Sequence, residues 1–182
     1  MNQEMTIKQG RRLAVIDMQR VFAEPDSPWF TPRFAEVVEP IQRLVTAFGD
    51  QVTFTRFVAP EVPAGAWQRY YEQWPFALQA ASAPIYQLVG DFTPARTLDA
   101  TTFGKWGSEL AGEVGAGGLV LAGVSTDCCV LSTALAAADA GVPVQVVADA
   151  CAGVNDETQR QALDIMRLYG PLVEVVNLSD VL

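Results

Sequence analysis

No histidine occurs anywhere in the 182 residues, and that absence removes more chemistry than any other feature of the sequence. A Ser-His-Asp triad, a Cys-His pair and a histidine-ligated zinc or iron site are all impossible without it. Any general base must be a carboxylate, a lysine, a tyrosine or a thiolate. Positive charge is scarce as well: 12 basic residues stand against 21 acidic ones, for a net charge of −9, and the only lysines are Lys8 and Lys105. No run of Lys or Arg interrupts the acidic surface, so neither nucleic acid nor an anionic membrane is an expected partner. Long hydrophobic runs are missing too. The first ten residues, MNQEMTIKQG, are polar and the apolar stretches are strand-length. Neither a signal peptide nor a membrane span can be built from them, and a cytoplasmic location is expected. Three cysteines, Cys128, Cys129 and Cys151, are an odd number with two adjacent members. That suits neither a disulfide framework nor a zinc ribbon, and reduced thiols are the natural expectation.

Half of the residues are hydrophobic, enough for one substantial core in a chain too short for two ordinary domains. A single domain over residues 1–182 is expected, with residues 1–10 as a polar tail. Short aliphatic runs with little polar alternation read as buried parallel strands at residues 13–17 (LAVID), 119–122 (LVLA) and 144–148 (VQVVA). Residues 52–55, 173–176 and, more weakly, 96–98 add three more. Residues 129–141 and 156–169 carry helical patterns, the second with Ala162, Ile165, Met166 and Tyr169 on one face. Alternating strands and helices predict a three-layer α/β/α fold around a mostly parallel six-stranded sheet.

In such a sheet ligands bind beyond the carboxyl ends of the strands, so polar residues that end strands are the first candidates. Asp17 closes LAVID; its bland role would be to cap the following loop. In LVLAGVSTDCCVLSTALAAADAG a strand runs into Gly123, turns, and enters a helix at or near Cys129. A thiol at a helix N-terminus faces the positive end of the macrodipole, which stabilises its thiolate, and backbone N–H groups at the turn can hold an oxyanion. Adjacent helical residues point about 100° apart, so one cysteine faces the cleft and the other is a small buried apolar residue. The stretch from residue 59 to 84 is rich in proline and aromatics. Helical spacing brings Trp67, Tyr70, Tyr71 and Trp74 together, either as packing against the core or another subunit, or as the wall of a pocket.

The VIDMQ strand end, the Thr-Arg ending the second strand and GVSTDCCV before an Ala-rich helix together resemble the isochorismatase-like cysteine hydrolases, which include nicotinamidases and N-carbamoylsarcosine amidases. The resemblance runs from about residue 13 to 176. It implies that Cys129 is the nucleophile, that Asp17 is the general base, and that Ser125 and Cys129 supply the N–H groups of an oxyanion hole beside a cis peptide at Val124-Ser125. The family lysine has no counterpart at its usual position, which Asp99 occupies, so Lys105 must reach the site from six residues further on. The resemblance also implies a small amide-type substrate. At the end of the second strand Arg56 is a candidate carboxylate anchor, and Phe22, Trp67, Tyr71, Trp74 and Trp106 are candidate pocket residues. Arg56 in a structural ion pair is the alternative. Several relatives bind zinc through an aspartate and two histidines; here the histidines are missing, and neither a metal nor a cofactor is expected. A homodimer or homotetramer is the expected assembly. The competing readings are a catalytically silent relative, a nucleotide-binding sheet, which lacks its glycine motif, and a vicinal dithiol redox protein.

Overall fold

The computed structural model describes residues 10–182. Six strands, β1 (Arg11–Ile16), β2 (Val52–Phe57), β3 (Thr97–Ala100), β4 (Gly118–Val124), β5 (Val144–Ala152) and β6 (Val173–Val176), form one sheet in the order β3-β2-β1-β4-β5-β6. Every pairing is parallel. Among the described residues seven α-helices accompany them: α1 (Arg20–Ala23), α2 (Phe34–Phe48), α3 (Ala66–Gln73), α4 (Ser108–Val114), α5 (Leu131–Asp139), α6 (Asp156–Arg167) and α7 (Leu178–Val181). All six expected strands are present, and β6 has the expected bounds. β5 runs four residues further than expected because its pairing with β4 shifts register between Leu121 and Gly123 and continues to Ala152.

Alternation along the strands assigns the two faces. Leu13, Val15, Val120 and Ala122 pack with the α2 stripe of Phe34, Val37, Ile41, Leu44 and Phe48, and with Leu178 and Val181 of α7. Ala14, Ile16, Leu119 and Leu121 pack with Leu110 and Val114 of α4, the alanines of α5, and Leu163 and Met166 of α6. The result is a three-layer α/β/α sandwich. In α6 the buried stripe is Ala162, Leu163 and Met166, whereas Ile165 and Tyr169 are exposed. Ala162 and Met166 face inward as expected, but Leu163 takes the inward position given to Ile165, and Tyr169 lies past the end of the helix.

Each buried side chain on α2 contributes roughly 1.5–3 kcal/mol of apolar burial. Ile41 is fully enclosed, so Ile41→Ala is expected to lower the unfolding free energy by about 2–5 kcal/mol, measured by urea denaturation. An unchanged midpoint would contradict this packing.

The sheet order places the site. From β1 the chain winds outward through β2 and β3, and from β4 it winds the other way through β5 and β6, so a crevice opens above the carboxyl ends of β1 and β4. Gly123 sits at that edge, in register with Ile16. Its φ is +116°, and a Cβ there would lie 2.2 Å from the Ile16 carbonyl oxygen. Only glycine lets β4 approach β1 this closely before the chain turns into Ser125. Lys8 and all of the expected polar tail except Gly10 lie outside the described residues.

Candidate active site

Asp17 directly follows β1 and has no exposed surface. Its φ is +50°, and its N–H donates to the Thr55 carbonyl at 3.2 Å. Oδ1 accepts a hydrogen bond from the Thr55 hydroxyl at 2.7 Å. Oδ2 lies 3.0 Å from Lys105 Nζ, yet no well-aligned hydrogen bond reaches it. That oxygen is held close to a cation and still has a lone pair open to receive a proton.

Lys105 comes from the loop between β3 and α4, and its side chain is 1% exposed. Nζ donates to the Thr102 carbonyl at 2.8 Å and stands 5.0 Å from the centre of the Phe57 ring. The Lys105 backbone N–H donates to Thr133 Oγ1 at 2.9 Å, and that hydroxyl donates to the Cys129 carbonyl at 2.7 Å. One buried threonine on α5 therefore fastens the lysine loop to the cysteine turn. The six-residue displacement of the lysine is absorbed by a loop that folds back onto α5, with Gly104 against Ser132. Asp99, at the usual lysine position, makes a two-pronged ion pair with Arg56, at 2.7 and 2.6 Å.

The chain from Thr126 to Val130 is a wide π-helical turn ahead of α5, with the Val130 N–H bonded to the Ser125 carbonyl at 3.1 Å. The expected regular helix start at Cys129 is replaced by this turn, and Val124-Ser125 is a cis peptide. Asp127 braces the turn: one carboxylate oxygen accepts the Ser125 hydroxyl at 2.5 Å, and the other accepts the Thr158 hydroxyl at 2.5 Å and the Val154 N–H at 3.1 Å. The surroundings of Cys129 act against ionisation of its thiol. Its hydrogen bond with Cys128, its burial and the charge of Asp17 all raise the thiol well above the ordinary range, and Lys105 offsets them only in part. Cys128, less buried, is lowered by the same sulfur–sulfur hydrogen bond. Cys151 is pushed up to about 12 by burial, which makes it a core thiol.

Cys129, Cys128 and Ser125 open on a cavity of about 460 Å³, of the size that holds a small molecule. Phe22 and Trp74 line it, as expected. The other expected pocket residues do not. Trp67 packs against Phe57, Tyr70 and Phe103 behind the wall. Tyr71 is 3% exposed within the core. Trp106 lines a smaller depression beside Lys105 and Asp99. Arg56 lies along another groove, its guanidinium committed to Asp99. Tyr70 of the aromatic stripe lines the cavity as well, and residues not anticipated there include Trp29, Thr31, Phe57, Phe103 and Asn155. Trp29 is central, with ring centroids of Phe22, Phe57, Tyr70, Trp74 and Phe76 between 5.1 and 6.2 Å away. Its signal was its place in PDSPWFTP, a proline- and aromatic-rich loop following the strand that ends at Asp17. Gln19, of the same VIDMQ run, anchors Phe57: its amide donates to the Phe57 and Tyr86 carbonyls, and its oxygen accepts from the Phe57 N–H.

The zinc set of some relatives does not fit this chain. It has no histidine, and among the described residues no three cysteine, aspartate or glutamate side chains gather as a metal site. None of the helices among the described residues is long and apolar enough to cross a membrane.

Comparison with solved structures finds the same architecture in a cysteine hydrolase from Pseudomonas syringae pv. phaseolicola, at 20% identity and a TM-score of 0.81, over 94% of this chain and 90% of that one. An isochorismatase family protein from Desulfovibrio vulgaris superposes with a TM-score of 0.81 at 24% identity, over 93% and 95% of the two chains. An N-carbamoylsarcosine amidase from Thermoplasma acidophilum gives 0.74 at 19% identity, over 92% and 96%. A search of curated proteins found no match. At these identities the likeness establishes the fold. The sequence pattern of the isochorismatase domain, however, matches residues 12–178, almost the whole length, and the chain belongs to that family.

Proposed function

We propose that this protein is a cysteine hydrolase that cleaves the C–N bond of a small amide-type substrate through a covalent intermediate on Cys129. The observation that carries the reading is the buried pair of Asp17 Oδ2 and Lys105 Nζ, 3.0 Å apart and electrostatically coupled to the Cys129 thiol, which opens on a cavity of substrate size. An isolated buried ion pair does little for stability, because desolvation offsets its attraction. A role in moving a proton explains why this one is kept.

In the proposed cycle the resting Cys129 is a neutral thiol and needs a base. Asp17 takes its proton on the open lone pair of Oδ2 as the sulfur attacks the carbonyl carbon. The carbonyl electron pair moves to oxygen, where the backbone N–H groups of Ser125 and Cys129 receive it. Lys105 balances the negative charge during transfer. Collapse restores the carbonyl and breaks the C–N bond, and the proton held by Asp17 passes to the departing nitrogen to release ammonia or an amine. Water, deprotonated by Asp17, then attacks the thioester, giving the acid and the free thiol. The fold it shares with the N-carbamoylsarcosine amidase supports this class of reaction.

Ammonia release from neutral carboxamides, ureido acids and nicotinamide tests the reading. Wild-type protein is expected to turn over at least one of them, with activity surviving exhaustive EDTA treatment. Release from none would contradict the proposal and favour a catalytically silent binding protein.

A further inference from the structure

Cys128 is a nucleophilic group that the proposed cycle leaves unused. A regular helix would point adjacent cysteines about 100° apart, with one in the cleft and the other in the core. The wide turn from Thr126 to Val130 departs from that pattern. Cys128 and Cys129 both line the cavity, their side chains share a hydrogen bond, and both act electrostatically on the phenol of Tyr70 in the cavity wall. Two thiols in direct contact therefore open on one space. Cys151 stands apart from them, buried with its sulfur against the Leu121 carbonyl.

The two neighbours differ in access and in ease of ionisation. Cys128 is half-buried, whereas Cys129 is 3% exposed. Their shared hydrogen bond lowers the Cys128 thiol and raises that of Cys129. Oxidants attack the thiolate, so a small one entering the cavity meets Cys128 first, with the Cys129 sulfur in place to take over the product. No basic residue lines the cavity, and the chain carries a net charge of −9. An anionic thiol such as glutathione is therefore disfavoured as the partner, which leaves Cys129.

We infer that Cys128 is an oxidant-sensitive modification site, and that hydrogen peroxide closes Cys128 and Cys129 into a disulfide that blocks the nucleophile reversibly. The Cys128 sulfur attacks one peroxide oxygen and the O–O bond breaks. Hydroxide leaves and takes up the proton that the Cys128 thiol gave up, and the sulfur is oxidised by two electrons to a sulfenic acid. The Cys129 sulfur then attacks the Cys128 sulfur, the S–O bond breaks, and the hydroxyl departs with the Cys129 proton as water. Two thiols and one peroxide thus give one disulfide and two waters. Adjacent Cα atoms stand about 3.8 Å apart, closer than an unstrained disulfide prefers, and a strained bond is readily reduced, as a reversible switch requires. Loss of hydrolysis rests on the proposed function; the sulfur chemistry does not.

Thiol counting separates the two. Wild-type protein is treated with hydrogen peroxide, unfolded, and alkylated with N-ethylmaleimide before intact mass analysis. All three cysteines are expected to be alkylated in untreated protein and only Cys151 after peroxide, with dithiothreitol restoring the other two together with ammonia release. In Cys129→Ala protein dimedone, which traps sulfenic acids, is expected to label Cys128. In Cys128→Ser protein oxidation at Cys129 is expected to be about tenfold slower than in the wild type. Three alkylated cysteines after peroxide, loss of Cys151 instead, a glutathione adduct when glutathione is supplied, cross-linked dimers, no dimedone on Cys128, or equally fast oxidation of Cys129 without Cys128 would each overturn the inference. The expected labelling in a protein that releases no ammonia even before oxidation would leave the thiol pair standing and remove the hydrolase reading.

Discussion

Cys129→Ser is expected to reduce turnover of any accepted amide by roughly 10⁴–10⁶-fold, the scale on which loss of a nucleophile removes catalysis, whereas Cys128→Ser retains most of it. The two sulfurs are sequence neighbours and share a hydrogen bond, yet their surroundings differ. Cys129 is 3% exposed and belongs to the buried cluster under α5 and α6, with Asp17 and Lys105 acting on it electrostatically. An oxygen nucleophile at 129 is far harder to deprotonate than sulfur, and one carboxylate cannot make up the difference. Cys128→Ser exchanges the neighbour that raises the Cys129 thiol, so its effect falls on the pH dependence rather than on the maximal rate. Ammonia release by the two purified variants checks this, and near-equal losses would mean that the sulfurs act as a unit.

The second large effect concerns Lys105. Lys105→Ala is expected to lower turnover by roughly 10²–10³-fold, as for loss of one preorganised charge-stabilising group. It leaves Asp17 buried without its cation, which costs about 3–5 kcal/mol of stability. Activity and folding are therefore lost together in the single variant, and a double variant separates them. With Asp17→Asn added to Lys105→Met, the buried charges are gone and stability recovers to near that of the wild type, since replacing a buried ion pair with neutral groups is often neutral or favourable. Turnover does not recover. Urea denaturation and ammonia release on the same preparations measure the two readouts. A stable Lys105→Ala protein with wild-type turnover would remove Lys105 from the mechanism.

The legibility of this chain in its sequence was uneven, for identifiable reasons. Strands read well because buried parallel strands are short apolar runs, as in LAVID and VEVV. The 15-residue helix α2, among the longest elements of the core, was missed because Pro40 sits near its middle, where a helix is not expected. At the site, Asp17 and the turn from Gly123 to Cys129 were legible as strand ends, whereas the choice of Cys129 over Cys128 and the role of Lys105 came from the resemblance to the family. Thr133, which ties the lysine loop to the cysteine turn, gave no signal, because a lone threonine in an Ala-rich helix reads as filler. The pocket wall was the least legible part. Helical spacing brought Trp67, Tyr70, Tyr71 and Trp74 together without dividing wall from core; helix α3 turns Trp67 and Tyr71 inward and leaves Tyr70 and Trp74 at the cavity. For Arg56 the sequence left an anion anchor and a structural ion pair open, and the parallel register of β2 and β3, which places it opposite Asp99, decides for the ion pair.

A covalent bond between substrate carbon and Cys129 is the central claim, and acid quenching during steady-state turnover followed by peptide mass analysis tests it most directly. The account predicts an acyl adduct on the peptide containing Cys128 and Cys129, localised by fragmentation to Cys129, absent from Cys129→Ala and lost when the quench is delayed until substrate is exhausted. Ammonia release with the adduct on Cys128, or undiminished release from Cys129→Ala, would contradict it.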